Sequence, residues 1–255
     1  MRVALGVSYR GQAYRGWQSQ PAGDTVQDHL EAALARFANC PLRTVCAGRT
    51  DAGVHALNQV VHLDTGIARS ESSWVRGTNR FLPPDIAVQW CRLTSPDFHA
   101  RYGAIGRRYA YVVLEAPVRP AVEVGSVGWS HRSLDGEQMQ TAARLLIGVH
   151  DFSAFRSSEC QAPSPVKTMR AIDVSRHGSY WRFDFDANAF LHHMVRNLMG
   201  TLLAVGSGVR DEAWLLAVLA SKNRALAAPT FPAAGLYFVG PYYDGAHPPG
   251  YDPVF

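Results

Sequence analysis

The sequence predicts an α+β protein, because segments of alternating apolar residues and segments of helical periodicity follow one another along the chain. The strands lie too close together for uniform parallel crossovers, which need a dozen or more connecting residues. The order of elements in the first hundred residues recurs later. We therefore expect two similar halves whose mixed, mainly antiparallel sheets adjoin around a central basic cleft, with helices on the outer faces.

The first half is expected at residues 1–100. It opens with an alternating strand at 2–9 and a polar loop at 11–23. Asp24 and Thr25 can cap a helix whose apolar residues recur every three or four positions. These are Val26, Leu30, Ala33, Leu34 and Phe37. The later elements are expected in the order strand 42–47, loop 48–53, strand 59–63, helix 72–81 and strand 86–93.

The second half is expected at 101–243 and repeats this alternation. Its elements are predicted to be strand 107–114, helix 135–148, hairpin strands 169–175 and 180–186, helices 191–205 and 211–220, and strand 236–240. The remaining segment, 244–255, contains three prolines and two glycines and is expected to be irregular.

Composition narrows the class of protein. Hydrophobic residues make up 47% and charged residues 18%, which is typical of a folded globular chain. No window approaches the ~18 unbroken apolar residues of a membrane span, and the opening apolar run is too short for a signal peptide, so we expect a cytoplasmic protein without a membrane partner. The four cysteines are scattered, which favours free thiols over a zinc site.

The charge pattern permits a nucleic-acid partner. The net charge is +4, and residues 1–127 account for it with 14 arginines and 10 acidic residues. Only two of the 25 cations are lysines. Arginine suits bidentate phosphate contacts and stacking on bases, although codon usage would also favour arginine over lysine. Charge alone therefore leaves the partner open.

The segment most indicative of chemistry is Gly-Arg-Thr-Asp-Ala-Gly-Val-His-Ala at residues 48–56. Asp51 stands two residues after Arg49 and four before His55, in a loop between two expected strands. Asp-x-Gly is commonly a simple turn. Loops on rigid scaffolds also present reactive groups. From the residues alone, Asp51 is either a turn residue or a catalytic carboxylate.

This segment resembles the catalytic loop of the tRNA pseudouridine synthases that modify the anticodon arm. Further motifs similar to that family occur in the same order at 16–18, 98–101, 106–111, 150–152, 188–197 and 235–237. One position departs from the family pattern, which usually reads Gly-Gln-Val where this chain has Asn58-Gln59-Val60. Asparagine is the next most tolerant residue after glycine if a positive φ is needed there.

The resemblance implies roles for individual residues. Asp51 would be the nucleophile and Arg196 its ion-pair partner, while Arg49 would help to hold the extruded nucleotide. A nearby guanidinium favours the ionised form of a carboxylate. Tyr109 would stack on the target base and remove its proton late in the reaction, although by pattern alone Tyr109 and Tyr111 are aromatic core residues. Leu236 is likewise expected to bind substrate. Arg107 and Arg108 are expected to bind substrate as plausible contacts to phosphate, with solvated surface charge as the alternative.

The implied substrate is the anticodon arm of tRNA, at uridines 38, 39 and 40, and the implied assembly is a homodimer. Breaking a ribose–nitrogen bond and forming a ribose–carbon bond involves no redox change, so neither a cofactor nor a metal is expected. His192 and His193 resemble a metal pair, but adjacent side chains on a helix point about 100° apart and no third ligand is near in sequence.

Other interpretations stay open. An RNA-binding protein without chemistry would keep the arginines, and any of Arg76, Arg80 and Arg101 could contact phosphate or simply be solvated. A hydrolase of small glycosides would need a second carboxylate about 5–10 Å from the first, and no such partner for Asp51 was found in the motifs. Other uridine sites are also possible. Whether Asp51 attacks the base or the ribose anomeric carbon is not decided by sequence.

Overall fold

A computed structural model describes residues 1–244, and the expected irregular segment therefore lies almost entirely outside the described residues. The chain forms a mixed α+β structure with two compact units. Unit 1 comprises Met1–Arg107 together with the chain from Tyr237 onward, and unit 2 comprises Arg108–Leu236. The last strand, near the end of the sequence, thus belongs to the unit that contains the start of the chain.

The strands of unit 1 form a mixed sheet in the order β4-β1-β3-β10, with the short β2 on β3. Their bounds are Arg2–Tyr9 for β1, Val45–Cys46 for β2, His55–Asp64 for β3, Ile86–Thr94 for β4 and Leu236–Tyr243 for β10. β1 runs antiparallel to both β3 and β4, whereas β10 is parallel to β3 through the pairs Tyr237–His55 and Phe238–Ala56. β1 is buried continuously from Val3 to Val7, so both faces of this strand are covered.

Two helices belong to unit 1. Helix α1, Val26–Ala38, begins where the Thr25 hydroxyl accepts a hydrogen bond from the Asp28 backbone and ends at a left-handed Asn39. Helix α2, Glu71–Asn79, is capped by Ser70. The amide of Asn79 bonds both backbone groups of Val88, at 2.7 and 2.8 Å, and so ties the end of α2 to β4.

Unit 2 contains the remaining strands and three helices. Its strands, in the order β5-β9-β8-β7 with β6 parallel to β5, are β5 (Ala104–Glu115, which begins in unit 1), β6 (Gly128–Ser130), β7 (Gly148–Asp151), β8 (Val166–His177) and β9 (Tyr180–Ala187). The helices are α3 (Gly136–Arg144), α4 (Met194–Gly206) and α5 (Glu212–Ser221). α3 contacts β8 and α4, and a side chain at Gly206 would meet Met139 of α3 at 2.4 Å.

Most expected elements are confirmed, with shifts at their ends. The helix expected at 135–148 ends at Arg144, because the chain then forms β7, a four-residue strand too short to show periodicity. The helix expected from 191 begins at Met194, since His193 adopts a left-handed conformation with φ of 61°. Trp181, Phe183 and Phe185 alternate as buried residues of β9, as the pattern predicted.

The described residues contain no helix with both the length and the apolar character needed to cross a membrane. All four cysteines lie in the described part of the chain, and none of them forms a disulfide there.

Candidate active site

The loop 48–54 of unit 1 connects β2 to β3 and presents Asp51. The backbone N–H of Val54 donates to the Asp51 carbonyl at 3.2 Å, which closes a turn around the carboxylate-bearing residue. Asp51 is half-buried and Arg49 is exposed. The Asp-x-Gly turn and a presented carboxylate therefore coexist in this loop, so the two interpretations of the motif do not exclude each other.

Thr50, next to Asp51 in the loop, is held by the end of β1 and the segment that follows it. The Thr50 carbonyl accepts from the Trp17 N–H at 3.0 Å, and the Thr50 hydroxyl bonds the Tyr9 hydroxyl at 2.7 Å. Gly16, with φ of +89°, packs so closely that an added Cβ would lie 2.7 Å from the Thr50 carbonyl oxygen. The Gly16 and Trp17 carbonyls in turn accept from the first turn of α1. The backbone around Asp51 is thus anchored to a helix end.

The first half of the loop is held by β3 and by an arginine. The Ala47 N–H donates to the Val60 carbonyl at 2.8 Å, and the Gln59 amide bonds both backbone groups of Gly48. The guanidinium of Arg107 donates to the carbonyls of Ala47, Arg101 and Ala104, at 3.1, 2.7 and 3.0 Å. We refer to this set of Arg107 contacts as the arginine brace. Arg107, which was expected to contact substrate, thus contacts backbone through the brace.

His55, which closes the sequence motif, is a buried residue of β3. Its Nδ1 accepts from the Gly11 N–H at 3.1 Å, and its ring stacks on Tyr237 of β10 with ring centroids 4.7 Å apart. These contacts give His55 a role in joining three segments of unit 1. Its proximity to Asp51 in the sequence therefore does not by itself indicate acid–base chemistry.

Asn58, at the position that departs from the family pattern, does not have a positive φ. Its side-chain oxygen instead accepts from the indole N–H of Trp90 at 2.9 Å. The asparagine side chain thus satisfies a half-buried donor, which a glycine could not do.

Unit 2 carries the other implied site residues. Tyr109 of β5 is half-buried, and its ring meets Phe190 edge-on with centroids 5.0 Å apart. Tyr111, two residues on, is fully buried and its hydroxyl donates to the Pro232 carbonyl, so only Tyr111 is a true core residue. Arg108, between them, is exposed.

Arg196 lies in the first turn of α4 and is half-buried. Its Nε donates to the Phe231 carbonyl at 2.9 Å, and the Phe231 N–H donates back to the Arg196 carbonyl at 3.1 Å. These two bonds fix the direction in which the guanidinium leaves the helix. Leu236 is buried at the start of β10, with 3% of its surface exposed.

The neighbouring Asn197 is a buried residue that sequence analysis did not single out. Its amide donates to the Phe155 carbonyl at 2.8 Å and accepts from Arg224 and Thr230 at 3.0 and 2.7 Å. It anchors the α4 turn that carries Arg196. Its place inside the motif at 188–197 was the available signal.

The sequence-based argument about His192 and His193 was wrong in its geometry. Both residues precede α4, and their rings lie 4.0 Å apart between centroids, inclined at 37°. The left-handed backbone of His193 turns the chain into the helix, so the two side chains do not diverge as they would on a regular helix.

Comparison with known proteins identifies the family. A family model described as tRNA pseudouridine synthase matches residues 6–103 and 142–244. A tRNA pseudouridine synthase A from Methylibium petroleiphilum is 70% identical over 244 residues, covering 96% of this chain and 94% of that protein. The protein of the same name from Polaromonas naphthalenivorans is 62% identical over 251 residues, covering 97% and 95%. One from Delftia acidovorans is 56% identical, covering 96% and 94%.

The chain belongs to the tRNA pseudouridine synthase family. It is therefore an isomerase that acts on uridine in tRNA. The family match includes the loop with Asp51 and the α4 turn with Arg196, whereas Tyr109 and the adjacent arginines lie in the unmatched stretch between its two parts.

The observed contacts of unit 1 hold the loop at Ala47, Gly48 and Thr50, which precede Asp51, and the Val54 N–H closes the turn that follows it. Fixing the backbone before and after a side chain restrains its position, which is what rate enhancement by orientation requires of a reacting group.

Proposed function

We propose that this synthase converts uridines 38, 39 and 40 in the anticodon arm of tRNA to pseudouridine, with Asp51 as the nucleophile. The observation that carries the proposal is the anchoring of the loop around a half-buried aspartate, with the exposed Arg49 beside it. The resemblance of the loop to the family's catalytic segment supports the same assignment.

The proposed reaction conserves every atom of the uridine. The bond from the ribose C1′ to the base N1 breaks, and a bond from C1′ to C5 of the rotated base forms. The C5 proton leaves and N1 gains a proton, so the product is an isomer and no electron acceptor is needed. A carboxylate that adds covalently to C1′ or to the base divides this exchange into two easier steps.

In this proposal Asp51 reacts as the ionised carboxylate, and Arg196 pairs with it and favours that form. The hydrogen bond from Arg196 Nε to Phe231 supports such a role, because it leaves the orientation of the guanidinium little freedom. Tyr109 stacks on the target base and removes the C5 proton. The edge contact with Phe190 supports the stacking part, since it restrains the ring while Tyr109 remains half-buried.

Extrusion of a stacked nucleotide requires a few kcal/mol, which contacts with the RNA must supply. We propose that Arg49 and Leu236 hold the extruded nucleotide and that Arg108, which is exposed, contacts a phosphate. The arginine brace favours a positioning role for Arg107 over the phosphate contact first expected. The wider proposal, carried by the resemblance, is a cytoplasmic homodimer with a basic cleft between two similar halves.

The decisive experiment compares wild type with Asp51→Asn, an isosteric change that removes the charge. Nucleotide-resolution mapping of tRNA should find pseudouridine in the anticodon arm with wild type. With the variant the rate should fall on the order of 10⁴-fold or more, as for other catalytic residues. The exposed Asp24 provides a matched control, and Asp24→Asn should act as wild type.

Binding of tRNA is measured in parallel. Retained affinity with lost turnover supports the nucleophile, whereas affinity lost together with turnover would make Asp51 a binding or structural residue. Modification that maps elsewhere in the tRNA would leave the chemistry intact and contradict the assigned site. Tight binding by wild type without any pseudouridine would favour the RNA-binding protein without chemistry.

A further inference from the structure

The turn after β4 in unit 1 displays an aromatic ring on the surface. Tyr102 is 78% exposed. A single exposed aromatic is common on protein surfaces and needs no explanation. This ring differs in being supported, because it lies against the His99 ring with centroids 4.4 Å apart and planes inclined by 32°.

The turn that carries Tyr102 is fixed by a dense set of hydrogen bonds. The Nδ1 atom of His99 accepts from the backbone N–H groups of both Arg101 and Tyr102, at 3.2 and 3.1 Å. The Gly103 N–H donates to the His99 carbonyl at 2.9 Å, and the His99 ring packs against the buried His62 at 4.7 Å. The exposed ring is therefore held in place before any partner arrives, which lowers the entropy lost on binding.

The turn is also connected to the catalytic loop. The arginine brace links the Arg101 carbonyl to the carbonyl of Ala47, the residue that precedes the loop. Cys46 lies just before it, and burial raises the pKa of its thiol to about 11, while the charges of Arg49 and Arg101 act in the opposite direction. The charges of both exposed guanidinium groups thus act on the residue before the loop.

The Arg101 guanidinium carbon lies 5.6 Å from the centre of the Tyr102 ring. Proteins bind unpaired nucleotides with an exposed aromatic ring beside a guanidinium. The ring stacks on the base, and the cation contacts a phosphate or the π-face of a ring. A base inside a helix has both faces covered, so the ring can receive only an unstacked one.

We propose that Tyr102 and Arg101 form a nucleotide-stacking subsite beside the catalytic loop of the protein. This subsite binds an unpaired nucleotide from a loop of the tRNA. The subsite rests on the proposed function for its ligand, an anticodon stem-loop. Its role is in binding and register, separate from the pocket that receives the target uridine.

The test uses the full-length enzyme and an anticodon stem-loop RNA with 2-aminopurine placed in turn at each loop position. With wild type, fluorescence at one position should be quenched on binding. Tyr102→Ala should abolish that quenching and raise the Kd by about fivefold to a hundredfold, the range found for base–aromatic stacking. Tyr102→Phe, which keeps the ring, should restore both, and a blunt RNA duplex should bind wild type and Tyr102→Ala alike.

The charge is tested separately. Arg101→Gln should lower the slope of log Kd against log salt by about 0.7 to 0.9, the value for one phosphate contact. An unchanged Kd and unchanged quenching in Tyr102→Ala would overturn the subsite. An equal increase in Kd for the stem-loop and for the duplex in Tyr102→Ala would also overturn it. A change from dimer to monomer in sedimentation of Tyr102→Ala would assign the ring to self-association instead.

The proposed function and the subsite fail in distinguishable ways. Binding and fluorescence do not depend on chemistry, whereas pseudouridine mapping with wild type does. Absence of product from wild type, with position-specific quenching intact, refutes the anticodon-arm reaction and leaves the subsite standing. Normal product with no effect of Tyr102→Ala on binding refutes only the subsite.

Discussion

Replacing Gly16 by alanine tests whether the loop around Asp51 works through its rigid position. The new Cβ would lie 2.7 Å from the Thr50 carbonyl oxygen and 3.2 Å from the Asp51 carbonyl carbon. Ordinary contact begins near 3.4 Å, so one of the two backbones must retreat by about 0.7 Å. Gly16 cannot easily yield, because its carbonyl accepts from the Val26 N–H at the start of α1. The displacement therefore falls on the loop 48–54.

The magnitude follows from two separate effects. A misplacement of about 1 Å lowers rates on the order of a hundredfold, so about 0.7 Å should lower single-turnover pseudouridine formation by some tens of fold. Alanine is also strained at a φ of +89°, which should lower the free energy of unfolding by about 1–2 kcal/mol. Saturating tRNA isolates the rate, and urea unfolding gives the stability.

Gly23 supplies the matched control for this prediction. It has a φ of +69°, and an added Cβ would meet nothing within 4 Å. Gly23→Ala should therefore lose a similar 1–2 kcal/mol of stability while keeping the wild-type rate. If Gly16→Ala keeps the wild-type rate, or if Gly23→Ala lowers the rate as much as Gly16→Ala does, the loop does not act through its fixed position.

Three further predictions follow from the contacts. Arg107→Lys loses the planar guanidinium of the brace and should lower the rate at saturating tRNA about tenfold. Arg108→Gln should instead weaken tRNA binding and reduce the salt dependence of Kd. An effect of Arg107→Lys on Kd alone would contradict a role of the brace in the rate. Burial lowers the pKa of His62 to about 4 in the folded state, whereas its pKa in the unfolded state is about 6.5. Below pH 6.5 the unfolded state therefore binds a proton that the folded state does not bind. Unfolding free energy should thus fall by about 2 kcal/mol between pH 6.5 and 5, and His62→Gln should lack this loss in urea titrations. Asn58→Gly would leave the indole N–H of Trp90 without its acceptor, which should lower the free energy of unfolding by about 1–3 kcal/mol. The midpoint of thermal unfolding should therefore fall, and an unchanged midpoint would contradict this.

Elements fixed by short-range signals were predictable from the sequence. The Thr25 cap and the apolar stripe after it lie within one segment, and α1 forms where they indicated. β3 was expected from Gln59 but begins at His55, because its first pairs are made with Tyr237 of the distant β10. No local pattern contains that partner, so the start of the strand could not be read from its own residues.

The same distinction applies to the site. Asp51 and Arg49 could be named as candidate site residues because they share one short motif. The groups that hold the loop, such as Tyr9, Trp17 and Arg107, come from segments far away in sequence, and only the fold brings their atoms to within hydrogen-bonding distance of it. Gly16 did stand in a motif, but its φ and its approach to Thr50 are three-dimensional facts.

In the proposed reaction, the exposed groups and the anchored loop would divide the work between binding and rate. Extruding a uridine requires a few kcal/mol, and the groups proposed to contact RNA, Arg108 and Tyr102, would supply this only by binding. The anchored loop would save energy at a different step, because Asp51 would need no reordering when the nucleotide arrives. Changes to the exposed groups should therefore appear mainly in Kd, and changes behind the loop mainly in the rate at saturating tRNA. If variants of both kinds altered Kd and rate in the same proportion, the loop would have to be ordered by the RNA itself, and rigidity could not be the source of its reactivity.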